Sequence, residues 1–144
     1  MASNYERTFG LTAIAESAIA LTEGGHLGSP IVFTVATSTA TLPPATGSGN
    51  KYQFFGSVDA SAIVVQVTTD DTMAGVAYLG NDSAASSNFY TADTSDTITL
   101  NGSTKGGLKG YRIECRDIAS NLWAVIVQSE ASGNEATPFS AAVS

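Results

Sequence analysis

Residues 111–128 read YRIECRDIASNLWAVIVQ, and this stretch carries the clearest structural signal in the chain. In the strand predicted at 111–118, apolar residues alternate with charged ones from Tyr111 to Arg116, which is the period-two pattern of a strand with one buried face. Residues 122–128 are almost continuously apolar and follow a tight link around Ser120 and Asn121, so they predict the next strand. The alternation favours antiparallel pairing and places Cys115 on the inward face as a small buried side chain.

Short β-branched and aromatic runs recur along the rest of the chain, with turn residues between them. Pro43 and Pro44 stop one run because proline cannot donate to a ladder, and Gly75 suggests a bulge in another. About nine short strands, with turn signals roughly every 8 to 12 residues, predict an all-β fold, an antiparallel sandwich or barrel that is jelly-roll-like. Besides the two strands above, the runs are 31–35, 39–42, 51–55, 62–67, 73–79, 88–91, 97–100 and an edge strand in 138–143.

The first thirty residues differ from the rest and are rich in alanine and glycine. Leu11, Ile14 and Leu21 fit a helical stripe, but an extended arm fits the same residues, and the pattern leaves both open. Glycines and a proline in 24–30 break whatever precedes them. We therefore predict an N-terminal arm and hinge over 1–30 and a β-domain over 31–144.

Length and composition narrow the class of protein. The chain has 144 residues, which suits one domain, and its single cysteine excludes an internal disulfide. Charged residues make up 13% of the chain, against about 25% in typical proteins. A net charge of −7 argues against nucleic acid as a partner. Neither a secretory signal nor a run of about 20 apolar residues is present, so we expect synthesis in a reducing cytoplasm and no membrane partner.

Candidate catalytic and metal-binding groups are sparse. His26 is the only histidine and lies among glycines, which is a poor setting for a rigidly held base. One histidine and one cysteine cannot form a zinc site in a single chain. The carboxylates in loops lack the spacing of a calcium loop, and such residues usually bind their own backbone. Trp123 and Tyr111 are expected in the core. The sequence thus predicts a non-enzyme without cofactor or metal.

Four segments together resemble a known class of virion protein. They are TLPPATGSGNKYQF (41–54), DTMAGVA (71–77), DTITLNGSTKGGLKGYRIECRDIASNLWAV (96–125) and SGNEATPFSAA (132–142). In order and spacing they resemble the small decoration, or cement, proteins that bind the outside of tailed-bacteriophage capsids. Related segments also occur in other phage structural proteins, including fibre-like ones.

The resemblance implies a structural protein that binds major capsid subunits and cements them in the expanded head. It implies a place on the capsid exterior after synthesis in the host bacterium, and a homo-oligomer, with a trimer favoured over a dimer. The capsid contacts expected in the arm are Tyr5, Arg7, Phe9, Leu11 and Ile14, and the self-association residues are Pro138 and Phe139.

The alternative is a fibre or spike module that binds glycans on the host surface. Polar residues of the loop region 80–96 would then hydrogen-bond sugars, and Tyr78 and Tyr90 nearby would stack on them. A concave polar site with an exposed aromatic side chain would be the structural mark of that function.

Overall fold

The computed structural model describes residues 10–81 and 85–143, and within them the chain is mainly β. The described residues form twelve strands and one short helix. The elements are β1 (Thr12–Ile14), β2 (Ala18–Ala20), α1 (Glu23–His26), β3 (Ile31–Phe33), β4 (Thr37–Thr41), β5 (Lys51–Gly56), β6 (Ala62–Gln66), β7 (Thr72–Gly80), β8 (Ser87–Tyr90), β9 (Thr97–Leu100), β10 (Arg112–Ala119), β11 (Leu122–Glu130) and β12 (Phe139–Ser140).

The strands form a large sheet and a small sheet that share one hydrophobic core. The large sheet has the order β1-β3-β5-β10-β11-β7-β8, and the small sheet has the order β12-β9-β6-β4-β2. Buried side chains of both sheets belong to a single core cluster, as in a β-sandwich. Both sheets are mixed, so the prediction of antiparallel pairing alone was wrong. Among the described strands, five pairs are parallel and five are antiparallel.

Four of the five parallel pairs arise because the first six strands alternate between the sheets. Short links at 15–17, 34–36 and 57–61 carry the chain across the core rather than into a neighbouring strand. Each strand–link–strand unit, which we call an arch, then stacks in parallel on the next. The arches are β1–β2, β3–β4 and β5–β6. Period-two patterning marks strands but does not say which strand pairs with which, so the sequence could not reveal this stacking.

Hydroxyl side chains join successive arches at equivalent positions. The hydroxyl of Thr34 donates to the carbonyl of Ile14 at 3.0 Å, and that of Ser57 donates to the carbonyl of Phe33 at 3.1 Å. The corresponding residue of the first arch is Ala15, which has no hydroxyl. Among the described arches the first lies at the end of the stack, so no further arch lies beside it to accept such a bond.

The predicted arm is not separate from the β-domain in the part that the structure describes. β1 and β2 are the edge strands of the two sheets, and Ile14 and Leu21 lie in the core. Helix α1 is a single turn whose N-cap, Thr22, accepts from the backbone N–H of Gly25 at 3.1 Å. The boundary predicted at residue 30 is therefore corrected: burial of apolar side chains binds the first arch to the second.

The hairpin β10–β11 lies at the centre of the large sheet and confirms the prediction for 111–128. Its inward side chains include Cys115, which is fully buried, and Trp123, which packs edge-on against Tyr52 with ring centroids 5.9 Å apart. Tyr111 is buried as expected. Burial raises the pKa of the Cys115 thiol, with the charge of Glu114 adding to the effect, so this cysteine is a structural side chain.

Gly75 has a different role from the predicted bulge. The pairing of β7 with β11 runs without a register shift from Thr72 to Gly80. A Cβ at position 75 would lie 1.8 Å from the carbonyl oxygen of Val125. Glycine is required there because the two backbones approach too closely for any side chain.

Candidate functional site

The carboxylate of Asp117 organises the glycine-rich loop of residues 45–50. Asp117 is buried at the end of β10 and accepts from the backbone N–H groups of Thr46 at 3.0 Å, Gly47 at 2.6 Å and Ser48 at 3.2 Å. The Ser48 hydroxyl adds a bond of 2.7 Å. Gly47 has a φ of 83°, a left-handed conformation that glycine adopts at low cost. The loop thus forms an anion-binding concavity that the protein's own carboxylate fills.

The donors of residues 46–48 form a cradle around the carboxylate of Asp117, and this cradle changes the pKa of that carboxyl. Burial alone would raise the pKa of its carboxyl, but the hydrogen bonds from Thr46, Ser48 and Gly47 outweigh burial and lower the pKa from 3.8 to about 2. The group is therefore charged throughout the neutral range. All of these donors belong to the loop and bond to Asp117, so the cradle has a structural role and these donors are not available to an external anion.

A second buried carboxylate, Asp71, ties the same loop to two other segments. Its Oδ2 accepts from the backbone N–H of Ala45 at 2.8 Å and from the hydroxyl of Thr68 at 3.2 Å. Its Oδ1 accepts from the side-chain amide of Asn121 at 3.0 Å. Asp71 and Asp117 therefore hold 45–48 against the ends of β7 and β10.

The C-terminal segment is held in the same way. The buried Asp96 accepts from the hydroxyl of Thr97 at 2.8 Å and from the backbone N–H of Val143 at 3.1 Å. The backbone N–H of Ala136 donates to the carbonyl of Thr104 at 2.9 Å. All four segments that carry the phage resemblance are thus linked to one another in one hydrogen-bonded framework.

The outer face of the large sheet exposes several large side chains. Tyr90 on β8 is 73% exposed, and it lies in one cross-strand row with Val76, Ile126 and Glu114. The neighbouring row contains Asn88, Tyr78, Gln128, Arg112 and Phe55. We call the exposed residues of these two rows the tyrosine face; they are Tyr78, Asn88, Tyr90, Arg112, Ile126 and Gln128. Exposed aromatic and branched side chains grouped on one face of a sheet are typical of interaction surfaces.

Part of the tyrosine face is concave. A shallow depression of about 150 Å³ is lined by Tyr78, Arg112, Glu114, Ile126 and Gln128. The Arg112 guanidinium donates to Oε1 of Gln128 at 2.6 and 3.2 Å, which holds both polar groups in place. The sequence pointed to Tyr78 and Tyr90 but not to the other lining residues. The alternation that begins at Tyr111 places Arg112 and Glu114 outward, whereas the apolar run 122–128 has no alternation that would place Ile126.

The residues predicted for capsid contact differ in whether the structure describes them and in how exposed they are. Tyr5, Arg7 and Phe9 lie outside the described residues. Leu11 is 63% exposed and stays available for contact. Ile14 is fully buried in the core, so it cannot meet a partner in the folded chain, and that expectation is corrected.

The residues predicted for self-association are also buried. Phe139 is in the core and, with β12, pairs with β9, while Pro138 offers its carbonyl to Thr99. The edge strand predicted in this region is present and is shorter than expected. Its apolar side chains pack inward, which leaves mainly its backbone edge for a second copy.

Among the described residues, the remaining candidates form no site with each other. Nδ1 of His26 accepts from the backbone N–H of Thr22 at 3.0 Å, as part of the α1 turn. Within residues 10–81 and 85–143, no three His, Cys, Asp or Glu side chains come together as metal ligands. In the same residues, no helix has the length and apolar character needed to cross a membrane.

Comparison with known proteins gave no match to any family model, any curated protein or any solved structure.

Proposed function

We propose that this chain is a capsid decoration protein of a tailed bacteriophage, a structural virion component that binds major capsid subunits and stabilises the expanded head. The resemblance of four segments supports this, and those segments form one connected framework around Asp71, Asp96 and Asp117. A mixed two-sheet β-sandwich is the scaffold, and the role requires no catalytic group.

The tyrosine face is the observation that carries the proposal. Tyr90, Tyr78 and Ile126 project from neighbouring strands of one rigid sheet, and they are 73%, 46% and 40% exposed. Tyrosine and arginine are enriched where protein interfaces concentrate their binding energy, and a sheet presents them without ordering a loop. Many weak contacts repeated over a capsid lattice add up to firm attachment. We place the capsid contact on this face, with Leu11 and the residues before it as a second contact.

The first test is co-sedimentation with expanded capsids that lack the protein. We expect saturable binding by the full chain, and a drop of about tenfold or more in apparent affinity for the Tyr90→Ala, Ile126→Ala double variant. Thr39→Ala, on the outer face of the small sheet, is the matched control and should bind normally. Removal of residues 1–9 tests the predicted arm without touching a described strand.

The results with these variants distinguish the two proposed capsid contacts, the tyrosine face and the N-terminal segment. Loss of binding only on truncation moves the contact from the tyrosine face to the N-terminal segment. Failure of the full chain to bind any expanded capsid saturably contradicts the proposed function. Truncation before Pro30 is not a clean test, since it removes β1 and β2 together with the buried Ile14 and Leu21.

Glycan binding is a second candidate, favoured by the depression beside Tyr78. An exposed aromatic ring next to fixed planar groups, here Arg112 and Gln128, suits stacking on a sugar ring and bonding its hydroxyls. If this is the function, the chain binds defined glycans on an array, and Tyr78→Ala weakens that binding about tenfold while Thr39→Ala does not. An array without any specific signal contradicts this candidate.

A further inference from the structure

Among the described residues, the first arch leaves an open backbone edge on both sheets. In β1 the N–H of Thr12 and the carbonyl of Ile14 bond toward β3 and the residues flanking it. The alternation of a parallel ladder then turns both backbone groups of Ala13 away from the sheet. In the same way, β2 turns the groups of Ala18 and Ala20 outward, because Ser17 and Leu21 bond toward β4. No described residue pairs with this side of either strand.

Apart from the shortness of its two strands, this edge lacks the features that usually prevent edge-to-edge pairing. Neither β1 nor β2 contains a lysine, a proline or a bulge. Its exposed side chains are mostly alanines, which allow close approach, and the neighbouring Leu11 is 63% exposed. Between residues 10 and 22, Glu16 is the only charged residue.

We propose that a second copy of this chain pairs here, β1 with β1 and β2 with β2, about a two-fold axis perpendicular to both sheets. Both pairs are then antiparallel and are formed by the same operation. The arch is symmetric in sequence about Glu16, since Ala13 and Ile19 lie three residues on either side of it. One axis can therefore pass the middle of both three-residue strands. The result is two sheets that continue without a break from one copy to the other.

Charge favours this arrangement over a parallel one. The antiparallel arrangement sends the two links, each with its Glu16, to opposite ends of the paired edge. A parallel addition would set the two carboxylates side by side, where like charges repel. The uncharged middle of the edge also limits repulsion between chains that each carry a net charge of −7.

The shape of the molecule disfavours head-to-tail addition. At the first arch both sheets end at the same level, because one arch supplies both edges. At the far end the large sheet extends through β11, β7 and β8, whereas the small sheet stops at β12. That stepped end cannot pair with both strands of the first arch together. The proposal goes beyond the proposed function and assigns a two-fold pair in place of the trimer expected by analogy.

Sedimentation equilibrium of the full chain tests the proposal with proline variants. Ala13→Pro combined with Ala20→Pro removes two N–H donors that the monomer does not use, at positions where an edge strand tolerates proline. We expect the wild type to form dimers and the double variant to dissociate about a hundredfold more readily, since both donors are lost in each copy. Circular dichroism checks that the fold is kept, and Ala13→Lys is a second, milder variant if it is not.

Asn88→Pro is the matched control on the opposite edge of the large sheet. The bond from the Thr91 N–H to the Gly75 carbonyl fixes the alternation in β8 and turns the N–H of Asn88 outward. We expect this variant to dimerise like the wild type. A wild type that is monomeric at every concentration, a proline pair that leaves the dimer intact, or an Asn88→Pro that also dissociates it each contradicts the two-fold edge pair.

Discussion

Replacing Asp117 by alanine should lower the free energy of unfolding at neutral pH by about 3 kcal/mol or more. The substitution leaves three backbone N–H groups of residues 46–48 without their acceptor, and each such loss beside a charged group costs about 1.5 to 3 kcal/mol, with incomplete additivity. Urea denaturation measures the change. Asp59→Asn is the control, because Asp59 is an exposed carboxylate that accepts one backbone bond, from Lys109, and its loss should cost less than about 1 kcal/mol.

The same carboxylate gives stability a defined pH dependence. The pKa of Asp117 is about 2 in the folded chain and 3.8 ordinarily, so its contribution is complete above pH 3.8 and is lost as the pH falls toward 2. The difference of nearly two units corresponds to about 2 kcal/mol. We therefore expect the stability gap between wild type and Asp117→Asn to shrink between about pH 4 and pH 2. A gap that stays constant over that range contradicts the charged cradle.

Gly75→Ala should lower the free energy of unfolding at least as much as Asp117→Ala does. Its Cβ would meet the carbonyl of Val125 at 1.8 Å, so β7 and β11 would have to separate where they form the longest parallel pair in the described chain. Backbone cannot move aside as a flexible side chain can. We expect a loss of more than about 3 kcal/mol or failure to fold, as for other severe overpacking. Thermal unfolding followed by circular dichroism measures the effect.

Gly80→Ala is the matched control for that experiment. Gly80 lies on the same strand and pairs with Glu130, but the nearest atom to its Cβ would be the Ser129 carbonyl oxygen at 3.9 Å. That is ordinary contact, so the change should alter stability by less than about 1 kcal/mol. Equal effects at the two positions would show that close approach to Val125 is not the reason for glycine at 75.

Most of the strands were predictable because each of them carries its own local pattern. The alternation of 111–118 depends only on which face is buried, and the structure places β10 there. The path between strands was not predictable, since 15–17 and 34–36 have the length of hairpin turns and instead cross between sheets. The first arch was missed for a related reason. Alanine-rich three-residue strands give no period that separates helix from strand, and only their packing on β3 and β4 decides the matter.

The candidate surfaces were predictable only in part. Tyr78 and Tyr90 stand out as aromatic residues beside a polar loop, but the depression also needs Arg112 and Gln128 from distant parts of the chain. Their position depends on register, which the parallel pairing of β7 with β11 sets. The role of Asp117 was hidden because a lone aspartate in a strand does not show which loop it will bind.

The order in which the strands are synthesised differs from the order in which they lie in the large sheet. β10 and β11 follow every other strand of that sheet in the chain, yet they occupy the positions between β5 and β7. Until this hairpin is synthesised, the large sheet consists of two unconnected parts, β1-β3-β5 and β7-β8. The β10–β11 hairpin therefore joins the two parts of the large sheet, and only a chain synthesised to about residue 130 can complete that sheet.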